Sequence, residues 1–196
     1  MKKSHVTLTT LLLLSLLAVG CKTIFLKDSW KDPNYDGPTF SKYLVISLAS
    51  ATGNRIIIED NFVRELKAKG ANAVASYKVL PPDGTVNRDV IKAAIEGKDY
   101  DAVIIGRLTA VDVHKAAIIP QTAGAGVGLY DYTEYNWYQP GRDYNTYKVE
   151  STVWQVSSEK LVWKSEYDVL DPRNIPKETE KLAKEIVKQL RKFKLV

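Results

Sequence analysis

Three features of the sequence predict a layered α/β (α+β) domain built on one mixed sheet of five to six strands. Between residues 43 and 113, short apolar runs alternate with stretches of helical spacing, the pattern of strand, helix, strand, helix, strand. Two segments of strand character follow and read as a β-meander. The last segment carries apolar residues at helical spacing. The expected order is βαβαβ, then the meander, then a C-terminal helix, in a single domain over residues 43–196. A chain of 196 residues can bury a self-sufficient core. With 45% hydrophobic and 26% charged residues, collagen-like, disordered and multi-pass membrane classes are excluded.

The first strand is Tyr43-Leu-Val-Ile-Ser-Leu-Ala49, apolar enough to be buried on both faces and broken by Thr52-Gly53-Asn54. Ile58, Phe62, Leu66 and Lys69 then recur at helical spacing, with Gly70 as the stop. Ala73 to Leu80 reads as a second strand, ended by Pro81-Pro82-Asp83-Gly84, and Asp89 to Glu96 as a short helix. Tyr100 to Val113, rich in Val and Ile, is the longest strand. Tyr144 to Val156 and Leu161 to Val169 pair through Ser157-Ser158-Glu159-Lys160. The second of them places Leu161, Trp163, Tyr167 and Val169 on one face and Lys164, Glu166 and Asp168 on the other. After Pro172 and Pro176, the residues Leu182, Ala183, Ile186, Val187, Leu190 and Phe193 form an apolar helical stripe that should cover the sheet.

Residues 1–20 are read as an address rather than as structure. Lys2 and Lys3 precede an apolar block, Leu11-Leu12-Leu13-Leu14-Ser15-Leu16-Leu17, too short to span a bilayer comfortably. Small residues and then a cysteine follow, Ala18-Val19-Gly20-Cys21. This ending resembles the lipobox of bacterial lipoproteins, with Ala18 where Leu is commonest. The resemblance implies a cut before Cys21, acylation of Cys21, and a membrane anchor. Lys22 in place of Asp implies the outer rather than the inner membrane, with the domain on the periplasmic side. Acylation also accounts for a single unpaired cysteine in an exported chain. Loss of Lys2 and Lys3 lowers the formal charge from +5 to +3, too mild an excess to suggest nucleic acid. Residues 21–42 read as the lipidated cysteine, a tether and an arm docked on the domain. Lys22 to Ser29 is the flexible part, spanning under roughly 30 Å, while Trp30, Tyr35 and Phe40 are too apolar for a free linker.

Trp30 with Asp32-Pro33, Glu59-Asp60-Asn61-Phe62, Gly70, and Lys160-Leu161-Val162-Trp163 together resemble a group of bacterial periplasmic lipoproteins carrying a domain-of-unknown-function label. More remotely, the element order is similar to domains of the curli-secretion lipoprotein and of penicillin-binding-protein activator lipoproteins. None of these marks is a catalytic signature.

Chemistry-bearing constellations are sparse. His114 is the one His left after residue 20, so neither a zinc site nor a Ser-His triad assembles readily, and His114 reads as a strand-end residue. Gly124-Ala-Gly-Val-Gly128 lacks the following helix and Lys-Ser/Thr of a phosphate loop and reads as a connection. Glu59, Asp60 and Glu65, beside Arg55, Arg64 and Lys67, read as a solvated helix face. Lys177, Lys181, Lys184 and Lys188 lie opposite the apolar stripe of the last helix, as a solvated face or one turned to anionic lipid or an acidic partner.

The most informative cluster is aromatic. Six of eleven Tyr lie between Tyr130 and Tyr147, with Trp137 among them. Pro140-Gly141 suggests a turn, with 129–138 pairing 144–153 as a projecting hairpin. Tyr130, Tyr132, Tyr135, Trp137, Tyr138 and Tyr144 are the candidate partner-binding residues, since Tyr and Trp join a large apolar body to a polar tip; packing on the sheet is the other account of them. No catalytic residue, metal ligand or cofactor is expected. The expected function is a non-enzymatic envelope lipoprotein, held to the membrane through Cys21, that binds a partner protein or envelope component. A small-molecule carrier with a Tyr/Trp-lined pocket is the alternative, and a hydrolase a weaker one.

Overall fold

The computed structural model describes residues 22–80, 86–115, 118–122, 136–140 and 143–196. A six-stranded mixed sheet organises them. Its strands are β1 (Ile24–Lys31), β2 (Lys42–Ser47), β3 (Asn72–Ala75), β4 (Ala102–His114), β7 (Tyr144–Gln155) and β8 (Lys160–Leu170), in the order β1-β8-β7-β4-β2-β3. Two further strands, β5 (Ile118–Thr122) and β6 (Asn136–Pro140), pair with each other. The helices are α1 (Thr52–Lys67), α2 (Arg88–Ile95) and α3 (Ile175–Lys192). β2 runs parallel to β3 and β4, and every other pairing is antiparallel. The fold is thus α+β with one mixed sheet and a C-terminal helix, and the sheet is not a closed barrel.

β2 lies inside because helices cover both of its faces. Tyr43 and Val45 join the core beneath α1 and α3, together with Ile104, Val153, Trp163, Ile186 and Leu190. Leu44 and Ile46 face the other way, against Val103, Tyr100 and Ala94 of α2. A strand buried on both faces reads as an unbroken apolar run, which is why its sequence is so plain. On α3, Leu182, Ala183, Ile186, Val187 and Leu190 are all buried, so the apolar stripe covers the sheet. The Asn174 side chain accepts from the Lys177 amide at 3.0 Å and caps this helix, while Arg191 and Lys192 in its last turn suit the dipole. Gly70 follows α1 with φ at +92°, a conformation that favours glycine.

Two expectations are corrected. The stretch read as a flexible tether is the edge strand β1, antiparallel to β8 from Ile24↔Val169 to Lys31↔Trp163, with a register shift between Leu26 and Asp28. Its side chains hide it: only Ile24 is buried, and the irregularity at Lys27 breaks any alternation. Backbone pairing, which is sequence-blind, holds it. The expected strand from Ala73 to Leu80 stops at Ala75 and turns into a 3-10 segment, Ser76–Lys78. The amides of Val79 and Leu80 both bond the Ser76 carbonyl, at 3.0 and 2.8 Å.

Candidate functional site

β4 changes character at Gly106. Up to that residue it is hydrogen-bonded on both sides, to β2 and to β7; the last β2 pair is Ser47↔Gly106. From Arg107 to His114 it pairs with β7 alone. The register shifts once, between Leu108 and Ala110. From Ala110↔Lys148 to His114↔Tyr144 it is regular, and β5 and β6 resume the same register from Ile118↔Pro140 to Thr122↔Asn136. β4 with β5, and β6 with β7, are therefore the two sides of one long ribbon. This overturns the expected pairing of 129–138 with 144–153. β7 already has β4 on one edge and β8 on the other, so neither edge is left for a third strand. Pro140 is a paired residue opposite Ile118.

Of the candidate partner-binding residues, Tyr130, Tyr132 and Tyr135 lie outside the described residues, as do Cys21 and the Gly124–Gly128 run. Trp137 and Tyr138 fall in β6, in register with Gln121 and Pro120. Tyr144 opens β7 and is 42% exposed; its ring stacks on His114 at 4.4 Å with a 15° interplanar angle. His114 Nε2 lies 3.1 Å from Thr146 Oγ1. The structure thus brings His114 and Tyr144 together at the root of the ribbon, as a strand-end pair.

The sheet face away from α1 and α3 carries a charge ladder over β4, β7 and β8. Arg107 Nε donates to Glu150 Oε1 at 2.6 Å, and Lys164 Nζ bridges Glu150 Oε2 at 2.9 Å and Glu166 Oε1 at 2.8 Å. Burial pushes the Glu150 carboxyl up, but Lys164 and Arg107 together outweigh it and hold it below the usual range. Lys148 pairs with Asp112 at 2.8 Å and lowers that carboxyl as well.

Glu59 departs most from the sequence reading. It is 0% exposed, with Arg55 beside it at 3%. Its Oε1 accepts from the Ser47 amide at 3.0 Å, Arg55 Nε at 3.1 Å and Ser76 Oγ at 2.6 Å; its Oε2 accepts from the Tyr77 amide at 2.9 Å. Arg55 also donates to Ser76 Oγ at 2.8 Å. This carboxylate ties α1 to the ends of β2 and β3, and it is what turns the chain at Ser76. The i,i+4 spacing of Arg55 and Glu59 was visible in the sequence, but spacing alone does not tell a surface pair from a buried one. Closed to solvent and engaged by four donors, Glu59 positions backbone. It is not placed to meet a substrate.

The lysine face of α3 is interleaved with acid. Lys181 pairs with Glu178 at 2.8 Å, Lys184 with Glu180 at 2.6 Å and Lys188 with Glu185 at 3.5 Å. Among the described residues, five buried side-chain polar atoms have no hydrogen-bond partner: the hydroxyls of Ser29, Ser151, Ser165 and Tyr167, and Trp163 Nε1. Ser29, Ser165 and Ser151 stand in one row across β1, β8 and β7, opposite Gly106 of β4.

Among the described residues, no helix is long and apolar enough to cross a membrane. No family model and no curated protein matches the chain. Solved structures do. The chain is similar to the PelC dodecamer from Paraburkholderia phytofirmans, at 11% identity and a TM-score of 0.48, over 85% of this chain and 96% of the other. It is also similar to lipoprotein GNA1162 from Neisseria meningitidis, at 14% identity and a TM-score of 0.42, over 78% of this chain and 99% of that one. At such identities no residue role passes from either protein to this one.

Proposed function

We propose that this chain is a non-enzymatic bacterial envelope lipoprotein, acylated at Cys21 and held at the outer membrane with its domain in the periplasm. Its aromatic residues Tyr130, Tyr132, Tyr135, Trp137, Tyr138 and Tyr144, the last three on the ribbon, form the surface that binds a partner protein or envelope component. The observation that carries the anchor is the apolar block Leu11–Leu17 ending in Ala18-Val19-Gly20-Cys21. The fold supports it in one respect: the sheet begins at Ile24, so an acylated Cys21 would hold the domain directly against the membrane. Labelling cells with a fatty-acid analogue tests this. Wild-type chain should take up label and Cys21→Ser should take up none, because the sequence has a single cysteine; label on the variant contradicts the lipoprotein assignment.

One observation favours a second reading, a carrier of a small polar molecule. Ser29, Ser151, Ser165, Trp163 and Tyr167 leave buried donors and acceptors unmatched on the face beneath α3, and such groups ordinarily find a partner. On that reading, Ser151→Ala with Ser165→Ala abolishes binding of a ligand retained through native purification. Native mass spectrometry that shows only the bare polypeptide removes the reading.

A further inference from the structure

Beyond Gly106, the edge of β4 that β2 occupies carries no strand among the described residues. β2 makes its last pair at Ser47↔Gly106, and the Leu48 amide donates to the Gly106 carbonyl at 2.9 Å. From there to His114, β4 is paired with β7 alone, which leaves roughly 25 Å of its other edge open.

The side chains along this edge sort by face. Leu108 pairs with Val149 and Val111 with Tyr147, and both partners pack against the core beneath α1 and α3. Val113 pairs with Asn145, which shares that face of β7. The bulge at Thr109 keeps Leu108, Val111 and Val113 on the same face as Gly106. Residues on one face of a strand turn their N–H and C=O to the same edge, so these three aim their backbone groups where the Gly106 carbonyl points. All three are exposed, Val113 at 63%. Arg107 and Asp112, on the other face, are already matched by Glu150 and Lys148. The outer edges of the sheet are better protected: β1 has Lys27 at its irregularity, with Asp28 and Lys31 nearby, and β3 is only four residues long.

We infer that the partner docks here by strand addition: an extended segment of it, apolar at every second residue, lies along Arg107–His114 as a continuation of the β2 lane. The occupant follows from the chemistry of the edge. Free amides and carbonyls in strand register are matched by another extended backbone. Leu108, Val111 and Val113 call for apolar side chains on one face of that segment. A second copy of this chain fits worse. Paired edge to edge and antiparallel, it would carry its own β5 back toward Gly106, where β2 and Leu48 fill the lane. A separate segment has no such continuation. The inference rests on the partner-binding reading and gives that partner a binding mode.

The test uses the full chain in intact cells, with a photo-crosslinking amino acid at position 111, 113 or 138, and mass spectrometry to locate the residue reached on the captured protein. Strand addition predicts that the sites reached from 111 and 113 fall about two residues apart in one segment of one protein, because side chains on a shared face step by two. Sites on separate segments overturn the inference, as do crosslinks to another copy of this chain or within the same chain. Capture from 138 with none from 111 and 113 overturns it too and leaves the partner reading standing. No capture from any of the three removes the partner reading, and the inference falls with it. A second pair of variants reads the backbone itself: Val111→Pro removes an amide from the edge, and Val111→Thr keeps it. Val111→Pro should melt cooperatively and lose crosslinks from 113 several-fold, while Val111→Thr retains them. Crosslinks that survive Val111→Pro, or a loss of its cooperative melt, mean that this amide does not serve an open edge and overturn the inference.

Discussion

The two halves of β4 belong to one strand and obey different rules. In Ala102–Gly106, neighbours on both edges and helices on both faces leave Ala102, Val103 and Ile104 at most 5% exposed. In Arg107–His114, β7 is the one strand paired, and Leu108 and Val113 are each more than half exposed. The inner half is specified by burial, and almost any change there should be felt. The outer half is specified by backbone pairing and by ion pairs with β7, which tolerate wide variation in side chains. One continuous strand can thus carry the core and hand its register to a surface ribbon without a domain boundary.

The largest effect should come from the inner half. Ile104→Asp leaves an unpaired charge in the core and should abolish folding, seen as loss of the cooperative thermal transition. A cooperative melt near the wild-type temperature would put the inner half on the surface. Next comes the buried carboxylate that pins the inner strands. Glu59→Ala removes the carboxylate that Arg55, Ser76 and the Ser47 and Tyr77 amides all bond, and should cost about 3–5 kcal/mol in urea titrations. A loss below about 1 kcal/mol would make the network decorative.

Glu150 lies on the outer half's partner strand, and its effect should depend on pH. Its carboxyl is held below its ordinary value of 4.5 in the folded chain, against burial, by Lys164 and Arg107. The stability it contributes is therefore complete above pH 4.5 and fades as pH falls through the lowered value. The difference in melting temperature between wild type and Glu150→Gln should shrink on acidification through that window. A difference constant with pH would mean that the ladder is not charge-coupled. The smallest effect is reserved for the outer tip: Val113→Ser should change stability by less than about 0.5 kcal/mol.

What the sequence shows and what it hides divide along the same line. Segments defined by burial were legible: the apolar run of β2, the α3 stripe through Ile186 and Leu190, and the alternation of Trp163, Tyr167 and Val169 on β8. Elements defined by pairing were not. β1 has one buried side chain, and no alternation of apolar and polar residues marks it as a strand. Aromatic residues such as Trp137, Tyr138 and Tyr144 mark the ribbon in the sequence but not its pairing, because turn chemistry at Pro140-Gly141 says nothing about which edges of β7 are already occupied. The burial of Glu59 is hidden for a related reason. Its burial depends on Ser47 and Ser76, which the fold brings together from separate elements.

Replacing Tyr130, Tyr132, Tyr135 and Trp137 together with Ser, in the full chain and in intact cells, tests most directly whether the ribbon is a contact surface on an independent core. Thermal melting of the purified variant and photo-crosslinking in the envelope are read side by side. If the four rings serve a partner, little burial is lost; the melt stays close to wild type and the crosslinked species disappear. If they pack against the domain, each truncation costs roughly 3–5 kcal/mol, and four exceed the roughly 5–15 kcal/mol that holds a typical domain together. An unfolded variant, or a folded one whose crosslinks persist, contradicts the assignment of the ribbon as the binding surface.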